Sequence, residues 1–529
     1  ACSAEAAHDP ALTMPALPSP VRALMFQLRI IFTELESRLP DDDAPISVLI
    51  QYGRQYLVEM GICADKLAEE VDMEAAAGGA EDNVEELRAE LQRTQWAACI
   101  WELALIMLVM RPLVAGEMLL HWWHRHLCDP AAEAAADRLA TALAPETVSY
   151  YWDTLGSLIT QGKPDAARSL LACHTQLHAA AGGAGLASPD AALLLRLDLL
   201  LDTIPRLSEK EVLAPHHEAA PPSLAAQESL SAFRFQWRVW KEDASQLRTD
   251  ATHAASTGDA SAAGVAATAA ILCADPHALA SACGGAWHGL LMARLFLDQP
   301  TRLRWELAGA MAGDAGSGVM EGNDIFSSCL VALLSDDPYE AVKCIRTAYG
   351  DGWLTAHLWD LLCRARAVPA DDTVDGSPLS LRHFFLLQYA RALAGRESLW
   401  QLAAAYGTGL LAHPSAAAET QVWLREMLAA QASSAAASAH PGGRLHAVKL
   451  RKLLGVCEAH GIDPGPILDA RGAASGRGVA RGDAAVRAEL RLPDAAGVRA
   501  WELQAMAIRA LDQAIGGEQG EGADAGGGG

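Results

Sequence analysis

Apolar residues recur at helical spacing along most of this chain, from Val21 to about Ala514, with interruptions and no strand pattern between them. Phe233, Trp237, Trp240, Ala244 and Leu247 fall on one stripe, while Arg234, Arg238 and Glu242 lie off it. Tyr151, Leu155, Leu158 and Ile159 form a second stripe, with Gly162 placed to stop the helix. The stretch from Trp353 to Ala365 is apolar almost all round, as a helix sandwiched between neighbours is. Short breaks carry proline beside an acid: Lys163-Pro164-Asp165, Ser188-Pro189-Asp190, Asp275-Pro276 and Asp337-Pro338. Proline suits the first helical position, and aspartate caps or complements the N-terminal dipole. In Asp337-Pro338-Tyr339-Glu340, the glutamate three residues after the cap makes a variant capping box. Helix, short turn, helix, without strands, predicts stacked antiparallel pairs: an all-α, elongated solenoid of on the order of twenty helices.

Longer breaks at 74–81, 179–187, 250–263, 312–322, 432–443 and 470–485 read as low-complexity loops. Residues 1–20, with Pro10, Pro15 and Pro18, read as a loose lead-in, and the Gly- and Glu-rich residues 515–529 as a disordered end. At 529 residues the chain is too long for one ordinary compact core, which fits either several domains or an elongated stack. Only 8 Tyr and 8 Phe stand against long runs of Ala and Leu, a composition that favours helix. The net charge of −24 and the lack of a basic stripe argue against direct contact with nucleic acid or anionic lipid. The 11 cysteines are scattered singly, without a CxxC pair, and read as reduced thiols of an intracellular protein. The most apolar stretch, Trp96–Met110, contains Glu102 and is shorter than the roughly 20 residues of a membrane span, so a core helix is expected. No signal-peptide pattern opens the sequence, whose first residue is Ala1.

Chemistry is sparse. His121, His124 and Cys128 share one helical face, with His126 nearby, and form the best metal candidate. No second ligand-bearing segment accompanies them, so they are read as non-ligands at an amphipathic helix end. His216-His217, before Pro221-Pro222, is weaker still. Gly316-Ser317-Gly318 superficially resembles a phosphate loop, but Glu321 stands where the third glycine belongs and no strand precedes it. Neither a GxSxG elbow nor an HExxH pair occurs. Trp152, Leu155 and Gly156 resemble the opening of a tetratricopeptide unit, without its 34-residue recurrence. The expectation is no catalytic, cofactor or metal site, and a scaffold rather than an enzyme.

Five segments then resemble a known family in order. Tyr151-Trp152-Asp153-Thr154-Leu155, followed by Gln161-Gly162-Lys163-Pro164-Asp165-Ala166-Ala167-Arg168, is similar to the "YWET…QGxxxEAR" hairpin of the nucleoporin eighty-five family. Phe235 to Trp240 resembles its "KWxxW" helix, and Trp287 to Leu295 its "WYHxLxxRLL" segment. Trp353 to Leu362 resembles "WWxxAHLxDLL", and Arg382 to Ala390 with Ser398 to Leu402 resembles "REFLLLEYA…PSLWQL". Each motif alone is an amphipathic helix; their order and spacing carry the specificity. The resemblance implies an ancestral coatomer element, a solenoid that folds back into trunk and crown over 21–430 and a partial tail over 444–514. It implies a structural role in the Y-shaped coat of the nuclear pore, at the nuclear envelope, in support of protein and mRNA transport. It implies as partners a WD-repeat β-propeller of the Seh-one type and other Y-complex scaffold nucleoporins. The coat would be membrane-apposed, with no transmembrane segment and no direct nucleic-acid contact. The family's propeller-completing strand hairpin has no counterpart in residues 1–20, and the match fades after Cys457.

Two other readings fit the architecture: within scaffolding, a vesicle-coat subunit, and, in a different class, a cargo-binding α-solenoid transport receptor. The ordered aromatic motifs favour the pore over the first, and the absence of a 40–47-residue tandem repeat disfavours the second. Val21, Leu24, Met25, Leu28, Ile31 and Phe32 cover more than one narrow face of the first helix. That surplus predicts that the propeller docks at this end.

Overall fold

The computed structural model describes residues 17–38, 45–177, 189–207, 223–256, 260–309, 324–350, 352–373, 379–396, 399–437, 444–459 and 462. Among these the protein is all-α, with no β-strand and two isolated bridges, Val114–Leu303 and Thr373–Ser380. The contacts divide it into two compact units, with the boundary in the sequence between Ala370 and Asp371.

The first unit opens with α1 (Ser19–Arg38), α2 (Ile46–Ala76) and α3 (Glu81–Ala104), consecutive antiparallel partners. Trp101 of α3 donates from Nε1 to the Gly53 carbonyl of α2 at 2.9 Å. A Cβ on Gly53 would meet Leu105 at 2.7 Å, so glycine lets α2 and α3 approach this closely. α3 continues as a π-helical turn over Leu105–Met110, wholly buried, and ends at Arg111 with φ 47°. Glu81–Met110 is long and apolar enough to cross a membrane by composition, yet 67% of its apolar window is buried within the protein. The core-helix expectation for Trp96–Met110 therefore holds.

Next come α4 (Gly116–His126), α5 (Ala131–Ala140), α6 (Tyr151–Thr160), α7 (Pro164–Ala172) and α8 (Pro189–Asp202). The predicted stripe of α6 is buried, and Gly162 ends the helix at φ 67°, a conformation costly for any L side chain. After it come α9 (Leu224–Ala255), α10 (Ala260–Leu272), α11 (Pro276–Ala282) and α12 (Trp287–Leu297). The α9 stripe Phe233, Trp237, Trp240, Ala244 and Leu247 is buried in one cluster with the α6 stripe, while Arg234, Arg238 and Glu242 are exposed. The unit closes with α13 (Ile325–Leu334), α14 (Pro338–Tyr349) and α15 (Trp353–Arg364). Every residue of α15 from Leu354 to Arg364 is buried. Asp275 and Asp337 cap α11 and α14 through their side chains, as their spacing predicts. The reciprocal half of the Asp337 box is replaced, because Glu340 pairs with Lys343 at 3.0 Å.

The second unit holds α16 (Leu381–Ala394), α17 (Trp400–Leu410), α18 (Pro414–Ala437) and α19 (Arg444–Ala459), successive partners. Leu424, Leu428, Leu453 and Cys457 make its core, and Tyr389 and Tyr406 meet edge to face at 5.1 Å.

Three stretches read as loops are partly helical. α2 runs to Ala76, α9 to Ala255 with α10 beginning at Ala260, and α18 to Ala437. Alanine-rich low complexity suits a loop and a helix alike, and alanine's propensity decides where a neighbour offers an apolar surface. Ala251, inside the stretch taken for a loop, is fully buried. The segments 179–187, 312–322, 470–485 and 515–529 lie outside the described residues, as does most of the 1–20 lead-in.

Candidate functional site

The histidine-rich end of α4 does not converge. His121 donates from Nδ1 to the Glu117 carbonyl at 2.8 Å. His124 donates from Nε2 to the Gln161 carbonyl, and burial holds its pKa below the usual imidazole value. His126 meets Glu102 Oε2 at 2.7 Å, and Arg125 binds the other oxygen of the same carboxylate. Burial raises the Glu102 pKa, but the His126 hydrogen bond and the Arg125 charge outweigh it, and the net shift is downward. Burial pushes the Cys128 thiol up, away from the thiolate a metal needs. Each candidate ligand therefore faces a different neighbour, and these side chains tie α4 to α3 and to the α6–α7 turn. No group of three or more His, Cys, Asp or Glu suited to a metal occurs among the described residues. His216-His217 and Gly316-Ser317-Gly318 lie outside them. Trp152 packs over Gly264 of α10, where a Cβ would fall 1.9 Å from the indole.

Sequence reasoning missed two polar assemblies. The first links α1, α2 and α15. Asp360 and Arg364, one turn apart on α15, pair at 3.0 Å with both side chains 2% exposed, and Glu36 of α1 approaches Arg364 at 3.9 Å. Nearby, the Tyr56 hydroxyl of α2 and His357 Nδ1 lie 2.8 Å apart in a hydrogen bond. Burial drives the His357 pKa down to about 3, so the imidazole is neutral at physiological pH. Phe32 of α1 packs on the same ring at 5.2 Å. A charge pair at i, i+4 inside an otherwise apolar helix was the readable signal.

The second assembly is a double cap made by consecutive residues of α9. The last carbonyls of a helix lack intrahelical donors. Leu200, near the end of α8, has such a carbonyl, and Trp240 Nε1 donates to it at 2.9 Å. Leu272, last in α10, is orphaned for another reason: the residue four further on is Pro276, which has no N–H. The Lys241 ammonium donates to the Leu272 carbonyl at 2.8 Å, with the Trp237 and Trp240 rings 5.7 and 5.9 Å away. Burial lowers the Lys241 pKa to about 8.

The exposed apolar residues fall on particular faces. In α1 they are Phe26 and Ile30; in α2 they are Val58 and Ile62, with Met73 near the far end, and the first two of α2, like the pair of α1, are one turn apart. Tyr52 of α2 lies beside Glu34 and Arg38 of α1. Counting along the antiparallel pair from there brings Ile30 level with Val58, and Phe26 level with Ile62. The residues on which the docking expectation rested are used otherwise. Val21, Leu24, Leu28, Ile31 and Phe32 are buried inside the unit, because α2 and α15 cover that side of α1. Met25 is half-buried.

The described residues thus form helix pairs locked by side-chain caps and buried polar pairs, with apolar residues left exposed on outer faces. A family model described as Nup85 nucleoporin matches residues 18–425, a span that contains all five ordered segments. The chain belongs to the Nup85 nucleoporin family. Similar curated relatives include the nuclear pore complex protein Nup85 of Danio rerio, 27% identical over 317 residues, covering 58% of this chain and 43% of the relative. The Mus musculus protein of the same name is 27% identical over 315 residues, 58% of this chain and 42% of its own length. The Homo sapiens protein is 25% identical over 368 residues, 68% and 50% respectively. The chain thus spans about half the length, or less, of the curated relatives it matches.

Proposed function

We propose that this chain is a structural subunit of the nuclear pore coat, resident at the nuclear envelope, and that it catalyses no reaction. The observation that carries the reading is the family match over residues 18–425, which coincides with the capped helix pairs of the fold. As a Y-complex element it holds neighbouring scaffold nucleoporins in register and supports transport of protein and mRNA through the pore. Its α1–α2 end takes a WD-repeat β-propeller, through the outer patch of Phe26, Ile30, Val58 and Ile62 rather than the buried side of α1. These four apolar side chains are exposed on two paired helices, level in pairs along them, and a partner covering them would remove them from water.

The test is affinity purification of the tagged chain from nuclear envelopes, with imaging of the same tag. Rim fluorescence and co-purification of Y-complex nucleoporins are the expected results; a diffuse signal without them refutes the reading. Truncating α1 is unsuitable for the docking claim, because its inner face is core. The double variant Phe26→Asp, Ile62→Asp instead alters only exposed positions. Selective loss of the propeller, with other scaffold nucleoporins retained and circular dichroism unchanged, is expected. Undiminished propeller recovery overturns the patch assignment.

A further inference from the structure

A groove of about 650 Å³ runs between α8 and α9, remote in sequence from the α1–α2 patch. Its walls carry exposed apolar residues, with Arg196, Thr203, Gln236 and Asp243 set among them. Leu199 of α8 is 59% exposed and Phe235 of α9 is 60% exposed, while Val239 lines the α9 wall one turn further on. Leu195 continues the α8 wall one turn earlier and is also exposed. The floor is Trp240 and Leu200, the pair held together by the indole cap. Two helices that each present bulky side chains at i and i+4 over a shared depression have the form of a helix-in-groove receptor.

The charges around the groove are uneven in a way that selects an occupant. Two α8 carboxylates are already taken, since Asp198 and Asp202 bind Arg168, while Asp250, further along α9, binds Arg196 at 2.6 Å. Arg238, beside the α9 wall, spreads over the Phe235 ring at 5.8 Å and has no carboxylate partner among the described residues. Asp243, which lines the groove five positions further along α9, has no cationic partner among the described residues. The two unpaired charges of opposite sign are therefore about 7–8 Å apart along the α9 axis. We infer that this groove receives an amphipathic α-helix from another protein, with bulky aliphatic residues one turn apart and a polar edge carrying an acid opposite Arg238 and a base opposite Asp243. The aliphatic anchors enter between Leu199 and the Phe235–Val239 wall, and the charge pair fixes the direction in which the helix lies. Such an addressed site suits a scaffold, since the apolar part supplies burial and the charges reject a reversed or like-charged partner.

The experiment uses the full chain and a fluorescein-labelled, hydrocarbon-stapled peptide of about sixteen residues, long enough to fill the groove. The peptide carries leucines at i, i+4 and i+7, a glutamate beside the first leucine and a lysine beside the last. Anisotropy is expected to give saturable binding, weakened about tenfold or more by Leu199→Ser or Phe235→Ser, as for central anchor residues. Both positions are exposed, so the variants retain the fold, which circular dichroism verifies. Arg238→Glu is expected to weaken the original peptide and to recover binding when the peptide glutamate becomes lysine. Absence of binding, binding indifferent to both serine substitutions, or no exchange of preference in Arg238→Glu overturns the inference. So does self-association in sedimentation that Leu199→Ser abolishes, which makes a second copy the occupant. A manyfold gain in peptide affinity when residues 208–222 are replaced by a Gly-Ser linker assigns the groove to the chain itself and also overturns it.

Discussion

Replacing Trp240 tests the double cap most directly. Its side chain is 4% exposed, lies 5.0 Å from the Trp237 ring, and carries the only indole donor to the Leu200 carbonyl among the described residues. Trp240→Ala removes the ring from a packed cluster, which costs about 3–5 kcal/mol in transfer and cavity terms. It also leaves the Leu200 carbonyl unpaired at the end of α8. Trp240→Phe isolates that second effect: the ring remains, the N–H is gone, and a buried carbonyl left without a donor costs about 1–3 kcal/mol. The effect should be local, confined to α8, α9 and α10, which α9 ties together through Trp240 and Lys241. Hydrogen exchange followed by mass spectrometry reads it segment by segment. At about 4 kcal/mol, the amides of α8 and the middle of α9 should exchange on the order of a thousandfold faster in Trp240→Ala, since 1.4 kcal/mol is tenfold. In Trp240→Phe the increase should be smaller and concentrated at the α8 C-terminus. Unchanged protection in both segments of Trp240→Ala would refute the capping argument; equal loss throughout the first unit would show that α9 acts through global stability instead.

Two further expectations concern pH. Because burial lowers the Lys241 pKa to about 8 from an ordinary 10.5, the unfolded chain binds more protons between those values, and this residue's contribution to stability rises with pH across that window. Lys241→Met keeps the aliphatic stem beside the indoles, so the wild-type-minus-variant stability, from urea titrations at pH 7.5 and 10, should grow with pH; a difference that stays flat rules the assignment out. His357 has the same sign in another window: with its folded pKa near 3 against an ordinary 6.5, stability falls as pH drops from about 6.5 toward 3. His357→Phe should flatten that part of the acid limb relative to wild type, and an identical acid profile would mean that the imidazole is not buried neutral.

Much of the fold was legible because one-dimensional periodicity reports burial directly. The α6 and α9 stripes, the Gly162 stop and the Asp275 and Asp337 caps depend on neighbours within a few residues, so local spacing was enough. The π-helical turn over Leu105–Met110 was not legible, since a run apolar on all sides has no period from which to read a change of helix type. Neither were the cap acceptors. Nothing around Trp240 or Lys241 says that the Leu200 and Leu272 carbonyls will lie opposite them; only the absence of an N–H at Pro276 hints that Leu272 needs a donor. The Glu36–Arg364 and Tyr56–His357 contacts join residues more than 300 positions apart, beyond any local pattern.

The outer surface was the least legible part, and the reason is physical. An amphipathic reading sorts residues into one apolar stripe and a polar remainder, so it accounted for Phe233, Trp237 and Trp240 and set Arg234, Arg238 and Glu242 aside as solvated. Phe235 and Val239 belong to neither class. They are apolar, one turn apart, and lie on the far side of a helix whose inner side already fills the core. The same holds for Phe26 and Ile30 on α1 and for Val58 and Ile62 on α2. Isolated exposed apolar residues need no explanation, but their recurrence at i, i+4 on neighbouring helices does. In a chain of net charge −24, polar residues at these positions would serve solubility better. Burial among the described residues therefore does not explain them, whereas burial under another protein, as the proposed coat role requires, would.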